Sequence, residues 1–331
     1  MLSIPANAKY AIIREMTLRD NNRLNLSWLC ETACVSRSGY YSYLKNEAKR
    51  QEREEADRKD FLLIVEAYQF RGYDKGAKGI KMRLLHLDPP INMNLKKIRR
   101  LMKKYRLICP IRKANPYRRM AKALKTSNVA PNLVERQFEA HGPRKVLLTD
   151  ITYILYKDSG KCYLSTILDA FTKQILAWVL SESLEVDFVL ETVENLVRDH
   201  GKEITSATML HSDQGCHYTS YKYIELVKDK ELRQSMSRRA NCWDNAPQES
   251  FFGHMKDSIN SKIKACSTFE EIKVVISNWM SYYNKDRYIW DLAYLSPDEY
   301  YQYCTTGVYP IKGIKPPKAA VEKCSSDDSV T

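Results

Sequence analysis

Three carboxylates stand in surroundings that set them apart from the other acids: Asp150 in LLTDITYI, Asp213 in MLHSDQGCHYTS and Glu249 in NAPQESFFGHMK. Acids far apart in sequence act together when rigid elements bring their oxygens to one place. Such oxygen clusters suit Mg2+, a hard ion that keeps several waters and needs few protein ligands. Two ions about 3.5–4 Å apart can stabilise both the attacking and the leaving oxygen of an in-line phosphoryl displacement. The triple therefore points to phosphodiester chemistry with two Mg2+, for which Mn2+ can substitute. With 40 acids in 331 residues, spacing alone selects nothing. Asp158, Asp169, Asp244 and Asp257 are rivals by position, and local context separates the three.

Each acid needs an element beneath it. VLLTDITYILY alternates as a strand, with Leu148, Asp150, Thr152 and Ile154 on one face. Asp150 thus interrupts a largely apolar surface, where a charge is costly unless paired or metal-bound. A short strand over 208–211 places Asp213 at its carboxyl end. Pro247 is tolerated in a first helical turn, so a helix over about 247–262 holds Glu249 near its N-terminus. KCYLSTILDAFTKQILAWVLS adds two strands with a turn near 170–173. Helices over 186–199, 221–229 and 268–284 and a strand over 233–236 complete the series. This mixed α/β order is that of a ribonuclease-H-like sheet with flanking helices.

The charge is lopsided. Residues 1–140 hold 30 Lys and Arg against 14 acids, whereas the remainder has 23 against 26. Residues 75–125 carry 17 basic residues and one acid, Asp88. Without an anionic partner such a segment repels itself, so nucleic acid is expected, with an acidic membrane surface as the lesser alternative. Residues 1–46 read as short helices in a helix-turn-helix arrangement, with Ser36 or Ser38 capping the third. Residues 47–70 read as a charged linker helix, and 71–113 as a second helical, DNA-binding module. In the latter, Leu95, Ile98, Leu101 and Met102 form the buried stripe of a helix otherwise covered by Lys96, Lys97, Arg99, Arg100, Lys103 and Lys104. A basic linker fills 114–145, the core spans 146–303, and 304–331 has little to bury and is expected to be disordered.

At the three acids the chain resembles the DDE transposases of the insertion-sequence-three family, relatives of retroviral integrase cores. TDITYI, HSDQGCHYTS and SMSRRANCWDNAPQESFFGHMK are similar to that family's catalytic signatures, and 35 residues separate Asp213 from Glu249, as in the family. VSRSGYYSYL, INMNLKKIRRLMKKYRL and YYNKDRYIWDLAYLSPDEY extend the likeness over roughly residues 26–300. Leu148 stands where the family usually has Trp, and Ala240 where it has Gly. The resemblance implies an integrase-like core with Asp150, Asp213 and Glu249 as catalytic metal ligands. It further implies cleavage and joining of double-stranded DNA at element ends and insertion targets. Pairing two ends implies at least a homodimer, and an upstream-frame DNA-binding product is a possible partner or fusion.

Lys256 follows Glu249 by seven residues on the same helical face, where it reads as a phosphate contact or a surface lysine, the former preferred. Asn245 reads as a DNA-site residue or a helix cap. His211 and Tyr218 read as packing residues, and Arg287 as a phosphate contact or a solvated helix end. Cys30 and Cys34 lack a His pair at zinc-ligand spacing and read as small buried thiols. Nine cysteines at irregular spacing and no apolar run near membrane-span length suit the cytoplasm, at the nucleoid. Two alternatives stay open: a ribonuclease-H-like nuclease that does not join, and a helix-turn-helix regulator with an inert core.

Overall fold

The computed structural model describes residues 4–19, 24–72, 75–109, 129–156, 160–238, 245–318 and 320–321. The chain divides into two compact units, Met1–Val65 and Glu66–Thr331.

In the first unit, α1 (Ala6–Thr17), α2 (Leu26–Thr32), α3 (Arg37–Lys45) and most of α4 (Glu47–Gln69) follow one another with short breaks. Asn25 caps α2 by accepting from the Ser27 N–H, and Ser36, not Ser38, caps α3 by accepting from the Gly39 N–H. Ile13, Leu29, Cys30 and Tyr40 make the small core. Gly39 lets α1 come close, because a Cβ there would lie 2.1 Å from the Tyr10 hydroxyl and push that side chain aside. Cys34 corrects the expectation of two buried thiols: it takes the turn between α2 and α3 at φ 54° and is exposed, while Cys30 is buried.

The second unit opens with the end of α4, then α5 (Ala77–Leu85) and α6 (Leu95–Lys104). Asn94 caps α6, whose Ile98 and Leu101 are buried. Lys96, Arg99, Arg100, Lys103 and Lys104 are exposed and Lys97 half-buried.

The sheet comprises β1 (Val146–Tyr156), β2 (Gly160–Asp169), β3 (Ile175–Ser181), β4 (Met209–Ser212) and β5 (Arg233–Met236), in the order β3-β2-β1-β4-β5. The first three strands are antiparallel neighbours; β4 runs parallel to β1, and β5 parallel to β4. This is the ribonuclease-H-like mixed sheet. Strand alternation divides the core. Leu148, Ile154, Cys162 and Leu164 pack with α9 (Ala246–Ala265) and α10 (Phe269–Lys285). Leu147, Ile167 and Val179 pack instead with α7 (Asp187–His200) and α8 (Tyr221–Asp229).

A buried ion pair locks the start of β1 to the end of β2. The Arg144 backbone N–H and Nη1 both donate to Asp169 Oδ2, at 3.1 and 2.9 Å. Arg144 Nε reaches Glu203 and Nη2 reaches Gln174, so the guanidinium is satisfied on every side. Capping boxes open α10 (Thr268 with Glu271) and α11 (Pro297–Thr306; Ser296 with Glu299). Past α11 the chain still buries Ile311 and Ala320 against Leu292, Leu295 and Tyr303. The expectation of a tail with nothing to pack is corrected over that stretch. Single apolar residues between prolines and glycines give no periodic signal, yet each fills a place on a preformed surface. Among the described residues no helix is long and apolar enough to cross a membrane.

Candidate active site

Asp150 and Asp213 meet through strand register. Parallel β1 and β4 pair Val146 with Met209, Leu147 with Leu210 and Leu148 with His211. Two residues beyond that last pair stand Asp150 and Asp213. The ladder has ended there, so the two acids flank the point where the strands part, the crevice at the carboxyl ends of parallel strands. On its other side Asp150 lies opposite Thr166 of β2. Gln248, fully buried in the first turn of α9, donates its amide to Thr166 Oγ1. One contact thus pins α9 to the strand position beside Asp150, and the next residue on that helix is Glu249.

The electrostatics report the convergence. The Asp150 carboxyl is pushed up to about 8, first by burial, then by the negative charge of Asp213, with Glu249 adding to it. The Ile151 N–H, which donates to Asp150 Oδ1 at 2.8 Å, and the Lys256 ammonium oppose the rise. The Asp213 side chain reaches solvent, yet protein crowding around its carboxyl raises it as well, against the Gly215 N–H and His217. Gly215 matters because its N–H donates to Asp213 Oδ1 at 2.9 Å, and a Cβ there would lie 2.9 Å from the same oxygen.

His211 packs as expected. It is fully buried, with Nδ1 2.8 Å from Ser235 Oγ and Nε2 3.1 Å from Ser237 Oγ, tying β4 to the end of β5. Tyr218 packs too, edge-on to Tyr223, but its surroundings are more telling. Its hydroxyl is raised well above the usual phenol range by burial, then by the charges of Asp150 and Asp213. It therefore lies beneath both acids, which the sequence reading missed. Its place five residues after Asp213, where the loop turns back, was the available signal.

Lys256 lies beside Asp150 and holds its Nζ 4.7 Å from the centroid of the Tyr153 ring. Lys161 Nζ is 5.5 Å from the same ring, which is 55% exposed. Alternation puts Tyr153 on the face away from Asp150, which hid it from the sequence reading. The long Lys256 side chain nevertheless reaches it, past the edge of β1 that β4 no longer covers. Asn245 departs from both expectations. It occupies the N-cap position of α9 without a capping bond, is 5% exposed, and its Oδ1 has no hydrogen-bond partner among the described residues. So buried a side chain presents no surface to DNA. The six α6 cations stand on a helix of their own, Leu95–Lys104. Of the rival acids, Asp169 is consumed by Arg144 and Asp257 is exposed on α9. Asp158 and Asp244, like Ala240, lie outside the described residues.

Integrase core domain families match residues 140–242 and 249–303, the first containing Asp150 and Asp213 and the second opening at Glu249. The putative transposase InsK of insertion sequence element IS150 from Escherichia coli K12 is 31% identical over 277 residues, covering 83% of this chain and 93% of its own. The chain belongs to the insertion-sequence-three family of DDE transposases. A transposase-like protein of Haemophilus influenzae is 34% identical over 217 residues, covering 65% of this transposase and 95% of its own length. Among solved structures, the HTLV-2 integrase catalytic core in complex with magnesium is 13% identical at a TM-score of 0.37, covering 48% of this chain and 97% of that one. The Mos1 mariner transposase catalytic domain is 12% identical at a TM-score of 0.34, covering 42% and 70%. As a transposase the protein is a polynucleotidyl transferase.

The donors at this crevice fit a hard divalent ion. They are carboxylate oxygens, and Asp150 is raised first by burial and then by the charges of Asp213 and Glu249, which a cation held among them would offset. Among the described residues no three His, Cys, Asp or Glu side chains are drawn tightly enough to enclose an ion. Asp150 and Asp213 flank one crevice, and Glu249 is coupled to Asp150 by its charge.

Proposed function

We propose that this transposase cleaves and joins DNA strands by two-metal phosphoryl transfer, with Asp150, Asp213 and Glu249 as the catalytic metal ligands. The observation that supports this most is the register that brings Asp150 and Asp213 to the parting of β1 and β4, with Glu249 electrostatically coupled to Asp150. Two Mg2+ ions, or Mn2+ in their place, would supply charge stabilisation of the attacking and leaving oxygens. Asp150 retains its proton to about pH 8 in the metal-free chain, so loading the site takes that proton away. Lys256 steadies a phosphate of the DNA end, its ammonium braced against Tyr153. Tyr218 packs close to Asp150 and Asp213 and helps position them. Water attacks the phosphodiester at the element end and breaks its P–O3′ bond, leaving a 3′-hydroxyl on one side and a 5′-phosphate on the other. That hydroxyl then attacks a target phosphate and displaces the target strand's own 3′-oxygen. No Ser or Tyr nucleophile takes part.

In this reading residues 1–46 and 71–113 bind element-end DNA, the latter through Lys96, Lys97, Arg99, Arg100, Lys103 and Lys104. Residues 47–70 and 114–145 link these modules to a core over 146–303. Two chains at least pair the element ends, with an upstream-frame product as a possible DNA-binding partner, at the nucleoid in the cytoplasm.

The test supplies element-end duplexes, intact or pre-cleaved, to the wild type and to Asp150→Asn, Asp213→Asn and Glu249→Gln with Mg2+. Wild type cleaves the intact ends and joins the pre-cleaved ones, and each variant binds DNA yet does neither. Full joining by the variants sinks the metal-site assignment, and cleavage without joining by the wild type favours the nuclease.

A further inference from the structure

On the side of α9 away from Glu249 and Lys256 lies a cleft of about 610 Å³, bounded also by the start of α5 and the segment after α10. Ser250, His254 and Ser258 recur every fourth residue and share that side of the helix. The volume falls within the roughly 300–1,000 Å³ of small-ligand sites, so it suits one nucleotide and not a duplex. Its charges are arranged unusually. Lys78 Nζ lies 4.8 Å from the Trp290 ring centroid, and Arg287 Cζ lies 5.5 Å from that of Tyr283. Neither cation forms an ion pair among the described residues. By contrast Lys173 pairs with Glu139, and the lining acid Asp286 pairs with Arg71. Asp291 is then the one lining acid outside an ion pair among the described residues. Burial, and then the Arg287 charge, lower His254.

Two uncompensated cations laid over aromatic rings recognise a phosphate joined to a flat base. We infer that this cleft binds a single unpaired nucleotide of a DNA strand, its phosphate on Lys78 and Arg287 and its base among the cleft aromatics. It is a second DNA subsite on the helix that carries Glu249. The inference rests on the transposase acting on DNA and is independent of the metal-site assignment. A free mononucleotide shares the chemistry, and the test separates the two.

The probe is a short labelled duplex, blunt or carrying a run of unpaired thymidines, bound to the full chain in chelator and followed by anisotropy. Wild type should favour the unpaired form about tenfold, the scale of one stacked base. Arg287→Gln should remove that preference. Gly76→Asp should remove it too, by placing a negative charge at the cleft. Gly76 has an ordinary φ of −74° and open space where a Cβ would stand, and Asp is a favoured N-cap for α5, so melting temperature should not fall. Asp150→Asn should keep the preference while losing strand transfer, which separates failure of this site from failure of the metal reading. An unchanged preference in both cleft variants overturns the inference. So does a mononucleotide that binds as tightly as the unpaired strand.

Discussion

At the scale of the residue, Asp150 makes the sharpest demand. Its folded carboxyl titrates near 8, far above its value in an unfolded chain, because burial and Asp213 disfavour its charge. Below about pH 4 both states are protonated and nothing is lost. Between there and pH 8 the unfolded chain gives up a proton that the folded chain keeps, so stability falls as pH rises. Metal-free wild type should therefore melt lower at pH 8 than at pH 5, with a smaller drop in Asp150→Asn. Added Mg2+ should restore the wild type and leave the variant unmoved. Thermal melts at both pH values, with chelator or Mg2+, check this; an identical pH drop in the variant would refute it. Lys256→Gln should weaken DNA-end binding severalfold, and Tyr153→Leu should reproduce part of that loss by freeing the ammonium it steadies.

At the scale of the element, the crevice depends on how firmly β1 and α9 are held. Arg144 and Asp169 form a buried pair with each nitrogen of the guanidinium engaged. Truncating one partner leaves the other charge buried and alone, so Arg144→Met should lose about 3–5 kcal/mol, read by denaturant unfolding. A loss below about 1 kcal/mol would show that water reaches Asp169. Gln248 is the corresponding anchor for α9. Gln248→Leu keeps the volume but drops the bond to Thr166, and should raise the Mg2+ concentration needed for half-maximal joining while DNA affinity stays within about twofold. A change in DNA affinity alone would deny it the task of aiming Glu249.

At the scale of the molecule, the charge is divided between parts with different tasks. The exposed cations of α6 stand on one short helix, whereas Asp150 and Asp213 flank the crevice of the core. If α6 lies on the DNA backbone, replacing Lys96, Arg99 and Lys103 together by Gln should weaken binding equally for all sequences. The slope of log affinity against log salt should become shallower by about one for each phosphate no longer neutralised. Binding titrations over a range of salt decide it, and an unchanged slope would remove α6 from the interface.

Much of this protein is written in local sequence. The alternation of VLLTDITYILY, the Pro247 start of α9, the Ser36 and Asn94 caps and the excess of basic charge before residue 140 are short-range signals, and the elements follow them. The three acids were legible for the same reason, since each sits in a distinctive short motif. Register, which the chain alone does not print, decided that Asp150 and Asp213 stand side by side. Packing decided that Gln248 anchors Glu249, that Tyr218 lies beneath the acids, and that Lys256 reaches Tyr153 around a strand edge. It also buried Asn245 and found partners for Ile311 and Ala320. Those outcomes depend on contacts between residues tens to hundreds of positions apart, which no window along the sequence contains.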